Sequence, residues 1–192
     1  MATEIEAKLR VTSHDPVRAA LAEIGAEPVG SVLETNHILD GADGSLHARG
    51  AALRVRASRP LGGGPERVTL TYKGAVEPGR LKRRQEIEVG VAAAAELLEL
   101  LQHLGYVQVL EFEKRRDSFR LGGCRVELDR LPRLGCFVEI EGPDEEAVRQ
   151  AQLRVGLGHL AHIPASYVSL LIDHGERTGS GRCVRFTGRE SV

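Results

Sequence analysis

The sequence predicts an α+β protein: an eight-stranded antiparallel β-barrel with a polar, charged interior and helices packed outside. Three observations lead there. The tripeptide Glu-Ile-Glu occurs three times, at residues 4–6, 86–88 and 139–141. Residues two apart in a strand share a face and the residue between them points away. Each copy therefore sets two carboxylates side by side and turns an isoleucine from them. Basic residues repeat the arrangement: Arg54 and Arg56 flank Val55, and Lys114 and Arg116 flank Arg115. Finally, strand–helix–strand–strand–strand is legible twice, from residue 3 and again from residue 83. The repeat is weak by sequence, but the helix spacing supports it.

Residues 3–11 read as a strand. Thr12-Ser13-His14-Asp15-Pro16 then offers an N-cap at Ser13 or Asp15 and a proline in a first helical turn. Val17, Leu21 and Ile24 recur at helical spacing, and Gly25 is a helix stop. Residues 28–40 hold a strand ended by Asp40-Gly41-Ala42-Asp43-Gly44, while 51–57 and 67–73 form a hairpin across the Gly62-Gly63-Gly64 loop. That loop lacks the Lys-Ser/Thr of a phosphate-binding P-loop. The second unit opens with a strand at 83–89 and a helix at 92–104, whose Leu97, Leu98, Leu101 and Leu104 make an apolar stripe. Strands at 106–119, 123–129 and 135–141 follow, parted by turns at Gly122-Gly123 and 132–135. Pro143-Asp144-Glu145-Glu146 opens a helix with acids in its first turn, where they suit the helix dipole. A last helical segment covers 165–173. Residues 1–174 are read as one domain, and 175–192, rich in Gly, Arg, Ser and Thr, as a flexible tail in which Arg182, Arg185 and Arg189 are solvated.

The charged faces recur on strand after strand. They carry Glu4, Glu6 and Lys8; Arg54 and Arg56; Thr69, Thr71 and Lys73; Lys82, Arg84, Glu86 and Glu88; Lys114 and Arg116; Glu127 and Asp129; Glu139 and Glu141. The opposite faces carry Ile5, Ala7, Leu53, Val55, Ile87, Val89, Val126, Leu128, Val138 and Ile140. One such strand alone reads as half of a sheet with its polar face in water. For the whole set the apolar faces need cover, which helices 16–25, 92–104 and 144–156 can supply, and the charges then line the inside of a curved sheet. A dry core cannot hold so many charges. A water-filled tunnel that takes a multiply charged ligand can. Lys and Arg suit phosphate oxygens, Arg by bidentate contact, and clustered carboxylates are hard oxygen donors for Mg2+ or Mn2+. Bases and metal-binding acids in one cavity point to a polyphosphate.

Composition narrows the classes. The 192 residues include 26 basic and 27 acidic ones, without the basic excess of a protein that wraps duplex nucleic acid, so no nucleic-acid partner is expected. Aromatics are 4% and Trp is absent, leaving aliphatics to fill the core. Cys124, Cys136 and Cys183 form no CxxC pair and read as free thiols of a reducing compartment. The charged N-terminus and the lack of an apolar run of about 18 residues lead to the expectation of a cytoplasmic protein with no membrane partner. His159 and His162 lie three apart with no third metal ligand in view.

In order along the chain, the motifs resemble those of the CYTH domain, the triphosphate tunnel metalloenzymes. Glu4-Ile5-Glu6-Ala7-Lys8 is similar to the ExExK signature; Leu53-Arg54-Val55-Arg56, Thr71-Tyr72-Lys73-Gly74 and Lys82 to Glu88 follow. Glu113 to Arg116, Leu128-Asp129, Leu134 to Glu141 and Ser166-Tyr167 with Leu170-Leu171 complete a set covering about residues 2–172. The resemblance implies a divalent metal, Mg2+ or Mn2+, held by Glu4, Glu6, Glu139 and Glu141 with Asp129 assisting. It implies a triphosphate gripped by Lys8, Arg54, Arg56, Lys73, Arg84, Lys114 and Arg116, and Glu86 and Glu88 in support. Lys8, Glu4 and Glu6 would be the catalytic group. Many relatives carry an aromatic pair just before Asp40; Ile38 and Leu39 stand there, so no tyrosine role is carried over, and His37 reads as a plain strand histidine.

The family comprises class IV adenylyl cyclases, thiamine triphosphatases and inorganic triphosphatases. The leading expectation is a metal-dependent triphosphatase acting on tripolyphosphate, thiamine triphosphate or ATP in a basic tunnel. The alternatives are an adenylyl cyclase that makes cyclic AMP and pyrophosphate from ATP, and a non-catalytic polyphosphate- or nucleotide-binding module. A homodimer is compatible with all three.

Overall fold

The computed structural model describes residues 2–79, 81–178 and 181–187. The alternating segments form long strands: β1 (Ala2–Val11), β2 (Glu27–Gly41), β3 (Ala52–Pro60), β4 (Arg67–Lys73), β5 (Lys82–Val91), β6 (Tyr106–Leu121), β7 (Cys124–Leu131) and β8 (Gly135–Glu141). Their order is β2-β3-β4-β5-β1-β8-β7-β6, and β6 pairs back onto β2 from Gly41↔Tyr106 to Glu27↔Arg120. The sheet is thus a closed antiparallel barrel of eight strands. Closure removes the exposed edges that an open sheet would leave.

Ring order decides what meets what. β5, β1 and β8 are consecutive, so the three Glu-Ile-Glu copies, far apart in sequence, lie on adjacent strands. Counting around the ring, β2 and β3 lie across from β1 and β8. Arg54 and Arg56 on β3 therefore face the acids over the barrel axis.

Outside, α1 (Asp15–Glu23) and α4 (Glu145–Arg154) cover β1, β7 and β8. Val17 and Leu21 of α1 and Val148 and Ala151 of α4 pack on Ile5, Leu9, Val126, Leu128, Val138 and Ile140, all buried. Burying such aliphatic side chains contributes roughly 1.5–3 kcal/mol each. Gly25 and Gly156 follow α1 and α4 with φ of 70° and 80°, left-handed values that a residue with a Cβ adopts at a cost. Asp144 caps α4 by accepting from the Ala147 N–H at 2.8 Å. The start of α1 differs from expectation: His14 occupies the N-cap position without a side-chain cap. The Ser13 hydroxyl instead meets the Asp15 N–H at 3.1 Å. On the other side α3 (Ala94–His103) and the short α2 (Ser45–Ala48) close over β3 and β4, with Leu46 and Leu101 beside Leu53, Val55 and Val68. The expectation that helices cover every apolar strand face fails at β5, where Ile87 and Val89 are 46% and 50% exposed.

Helix α5 (Tyr167–Thr178) lies at one end of the barrel. Tyr167 and Leu171 pack there against Ile38, Leu110, Phe112 and Phe137. The tail reading needs correction: α5 continues to Thr178, and β9 (Cys183–Val184) pairs in parallel with Glu111 and Phe112 of β6. Arg185 is not merely solvated but pairs with Glu111, and the Phe186 N–H donates to Glu113 at 2.8 Å. Arg189 lies outside the described residues. Cys124, Cys136 and Cys183 are free thiols, and no helix among the described residues is long and apolar enough to cross a membrane.

Candidate active site

Strand parity holds as read from the sequence, and the interior is a network of ion pairs. Along the arc β5–β1–β8, the ammonium of Lys73 from the adjacent β4 lies 2.9 Å from Glu4 and 2.7 Å from Glu86, and Arg84 reaches Glu4 at 3.1 Å. Lys82 pairs with Glu6, its cross-strand partner in the β1–β5 ladder. Lys8 is held from several sides: Glu139 at 3.3 Å, the Ala165 carbonyl at 3.0 Å, and the face of the Tyr167 ring at 4.1 Å. Cation–π contact of this kind fixes an ammonium without neutralising it.

The rest of the wall is bound as tightly. Arg116 forms a two-pronged contact with Asp129, both bonds 2.6 Å, and also reaches Glu139 and Glu127. Lys114, 2% exposed, lies between Asp129 at 3.1 Å and Glu34 at 3.2 Å. The Tyr167 hydroxyl donates to Asp129 at 2.9 Å. Across the axis, Arg56 pairs with Glu34 at 3.1 Å and donates from Nε to Asn36 at 2.8 Å. Arg54 reaches the Thr71 hydroxyl at 3.1 Å, and Thr71 donates on to Glu88 at 2.9 Å. Among the described residues the interior is charge-balanced, where the sequence led us to expect a basic one.

The acid–base balance of single groups follows from these neighbours. Burial alone would raise the Glu4 pKa, but Lys73 and Arg84 hold it down to about 2. Burial likewise opposes ionisation of Glu139 and Glu34, and adjacent cations outweigh it, Lys8 and Arg116 at Glu139 and Arg56 and Lys114 at Glu34. Arg54 is lowered to about 10 by burial and then by the like charge of Arg56. Glu141 moves the other way. Burial and then the carboxylate of Glu4 push its pKa up, with Glu6 and Glu86 adding to the effect against Arg125.

Glu141 also tests whether these residues fit a divalent cation. It is the cross-strand partner of Glu6, and it has no ion-pair partner among the described residues. Glu141 is itself exposed, but a carboxylate set beside those of Glu4, Glu6 and Glu86, with Arg125 as the opposing charge, fits a hard cation. No three such groups already converge as a cage among the described residues. The reason is visible: Glu4 and Glu6 are held by Lys73, Arg84 and Lys82. A cation at Glu4, Glu6 and Glu141 therefore has to displace lysines. Asp129 and Glu139 stand farther along the wall, both engaged by Arg116.

Most of the charged residues singled out from sequence meet in this network, and two others join them. Glu34 and Asn36 complete the pairs of Arg56 and Lys114, as Lys82 does that of Glu6. On β2 both faces carry polar residues, so alternation alone does not separate Asn36 from His37. His37 is on the outside, at 2.8 Å from Gln108 and 3.6 Å from Glu111. His162 is spoken for by Gln152 at 2.8 Å.

Known proteins are similar to this chain in sequence and fold. A family model for the CYTH domain matches residues 2–158. The adenylate cyclase CyaB of Aeromonas hydrophila is 31% identical over 150 residues, 76% of this chain and 72% of that protein. The solved structure of a Pyrococcus horikoshii protein superposes with a TM-score of 0.77 at 27% identity, covering 89% of this chain and 99% of that one. An adenylyl cyclase-like protein from Hippeastrum, reported to have a dominant triphosphatase activity, superposes with a TM-score of 0.65 over 93% of this chain and 97% of its own. At 18% identity that likeness is one of fold. Matched over most of its length by the family model and closed around the charged wall that its motifs foretold, the chain belongs to the CYTH domain family.

Proposed function

We propose that this chain is a divalent-metal-dependent triphosphatase that binds a triphosphate inside the barrel and releases phosphate, with tripolyphosphate or an organic triphosphate as substrate. The observation that carries this reading is the inward convergence of Lys8, Arg54, Arg56, Lys73, Arg84, Lys114 and Arg116 from five strands around an interior that also holds the carboxylates of Glu4, Glu6 and Glu139. Glu4, Glu6 and Glu141, with Glu139 behind them, would hold the metal. When bound, the metal neutralises charge on the phosphate oxygens and polarises the attacked phosphorus. The cations of the wall orient the chain for in-line attack, and their fixed positions stabilise the charge that builds on the leaving group. In the reaction, water adds to the terminal phosphorus, the bond to the bridging oxygen breaks, and the remaining diphosphate departs. Lys8 supports the reacting phosphoryl as a fixed cation, and Asp129 holds Arg116 and Lys114 in position. Glu86 and Glu88 keep Lys73 and Arg54 directed inward.

A second reading, adenylyl cyclase, is favoured by the name of the Aeromonas relative at 31% identity. There the ribose 3′ oxygen attacks the α-phosphorus and pyrophosphate leaves. The interior argues for hydrolysis first. Its apolar surface, around Phe112 and Phe137, is already covered by Tyr167 and Leu171 of α5, whereas its charged groups suit a phosphate chain. Incubation with Mg2+ or Mn2+ and, separately, tripolyphosphate, thiamine triphosphate and ATP decides. Orthophosphate release is expected, cyclic AMP from ATP would establish the second reading, and binding without product would reject both.

A further inference from the structure

The segment that follows α5 is seated on the barrel. Its β9 residues pair in parallel with β6, Cys183 beside Glu111 and Val184 beside Phe112, and the Glu111 N–H donates to the Arg182 carbonyl at 2.8 Å. Val184 is 3% exposed and packs in one cluster with Tyr167 and Leu171 of α5. The next two residues are tied down in turn. Arg185 Nε donates to Glu111 at 2.6 Å, the Phe186 N–H donates to Glu113 at 2.8 Å, and the Arg115 guanidinium lies 5.3 Å from the centre of the Phe186 ring. So short a strand has too few ladder bonds to stay docked by itself, so these side chains decide whether it does.

The segment holds α5. That helix buries Tyr167 and Leu171, while Ile172, Asp173, Glu176 and Arg177 are exposed. Twelve residues of helix are marginal alone in water, and Gly175 inside the helix weakens it further. The place of α5 therefore depends on what packs against its buried side chains, and Val184 is part of that packing.

The place of α5 matters at Lys8. Of the contacts that hold its ammonium, the Ala165 carbonyl and the Tyr167 ring belong to the start of α5, and Glu139 belongs to the barrel. The Tyr167 hydroxyl also donates to Asp129. A lysine head rides on a flexible four-carbon stem, so with α5 displaced Glu139 would draw Lys8 to one side. Arg54, Arg56, Lys73 and Arg84 take their partners from the barrel strands and would stay. We propose that residues 183–186 form a strap that seats α5 and thereby positions Lys8, with Val184 and Arg185 as positioning residues that act through Tyr167. The proposal rests on the triphosphate reading above, in which Lys8 supports the reacting phosphoryl. Neither Val184 nor Arg185 touches the substrate.

The test is steady-state hydrolysis of tripolyphosphate, thiamine triphosphate and ATP, each with Mg2+, well below the melting range of each protein. The proteins are the wild type, Val184→Asp, Arg185→Ala, Tyr167→Ala and the double variant Val184→Asp/Tyr167→Ala. Hydrogen exchange of residues 165–178 is followed in the free proteins. Val184→Asp puts a carboxylate where the strap is buried: kcat should fall roughly tenfold with KM within about twofold, and exchange in α5 should quicken while the barrel strands stay protected. Arg185→Ala removes one exposed contact and should show the same split at about threefold; it decides the matter if Val184→Asp does not fold. In the Tyr167→Ala background Val184→Asp should cost nothing more, because both changes reach Lys8 by one route. The inference is overturned by wild-type kcat in both strap variants, by a change in KM alone, or by a loss that adds to that of Tyr167→Ala. In each of these cases the triphosphate reading stands. If the wild type hydrolyses none of the three substrates, that reading fails and takes this inference with it.

Discussion

The arc β5–β1–β8 and the arc β2–β3–β4 adjoin at the β4–β5 pairing around one interior, and they differ in what is left over. On the first, Arg84 and Lys82, with Lys73 from the adjacent β4, engage Glu4 and Glu6, and the carboxylate without an ion pair among the described residues is Glu141. On the second, Glu34 and Asn36 engage Arg56, and buried polar atoms of both kinds, on Glu34, Asn36, Arg54 and Thr69, make no hydrogen bond. Both arcs are mixed in charge, which lets the barrel stand without a ligand. Paired charges in a low-dielectric wall are tolerable where lone ones are not.

The arcs differ outside as well. The central isoleucines of the copies on β1 and β8, Ile5 and Ile140, are buried under α1 and α4, at 5% and 0% exposure. The equivalent Ile87 on β5 is bare. The same tripeptide thus has a structural duty in two places, while on β5 only its inward carboxylates are engaged.

The comparison can be broken at its joints. The largest effect is expected where one cation serves both arcs' neighbours. Lys114→Met strands Glu34 and Asp129 in the interior, and removing one partner of a buried pair costs about 3–5 kcal/mol; urea denaturation should show a loss of that size, and an unchanged midpoint would mean the network is not coupled. Next, Glu6→Gln should leave the fold intact and lower metal-dependent turnover by at least about a hundredfold, since a neutral amide keeps the shape but lacks the charge a hard cation needs. Full turnover at limiting metal would remove Glu6 from the acidic pole. Arg56→Ala should cost on the order of 1.5–3 kcal/mol in catalytic efficiency through one charge-assisted contact. Steady-state kinetics beside a melting curve read it, and efficiency equal to wild type with an intact fold would reject its part in gripping the triphosphate.

The smallest effect sharpens the contrast most. Glu4 and Glu141 should respond to pH with opposite sign. Glu4 has a folded pKa of about 2, so its stabilisation is present above its unfolded value near 4.3 and is lost as pH falls below that. The raised pKa of Glu141 makes its contribution favourable at low pH and lost as pH rises through the folded value. Glu141→Gln should therefore slightly raise the melting temperature of the metal-free protein at neutral pH and weaken the stabilisation by Mg2+ or Mn2+. A destabilised metal-free variant would show that Glu141 is compensated after all.

What the sequence determined by itself was the local part: the strands, the stopping of helices before Gly25 and Gly156, and which residues of β1, β3, β7 and β8 face inward. All of this follows from a two-residue period and from turn chemistry, which act over a few residues. What only the tertiary structure decided was partnership. Glu6 and Lys82, distant in the chain, meet because ring closure sets β1 beside β5, and Asn36 rather than His37 faces inward because β2 takes its register from Arg56 and Phe112 on either side. The exposed face of β5 and the docked β9 were hidden for the same reason. An inward or outward direction is written in the alternation of neighbours, whereas a partner depends on strand order and register, which no single strand carries.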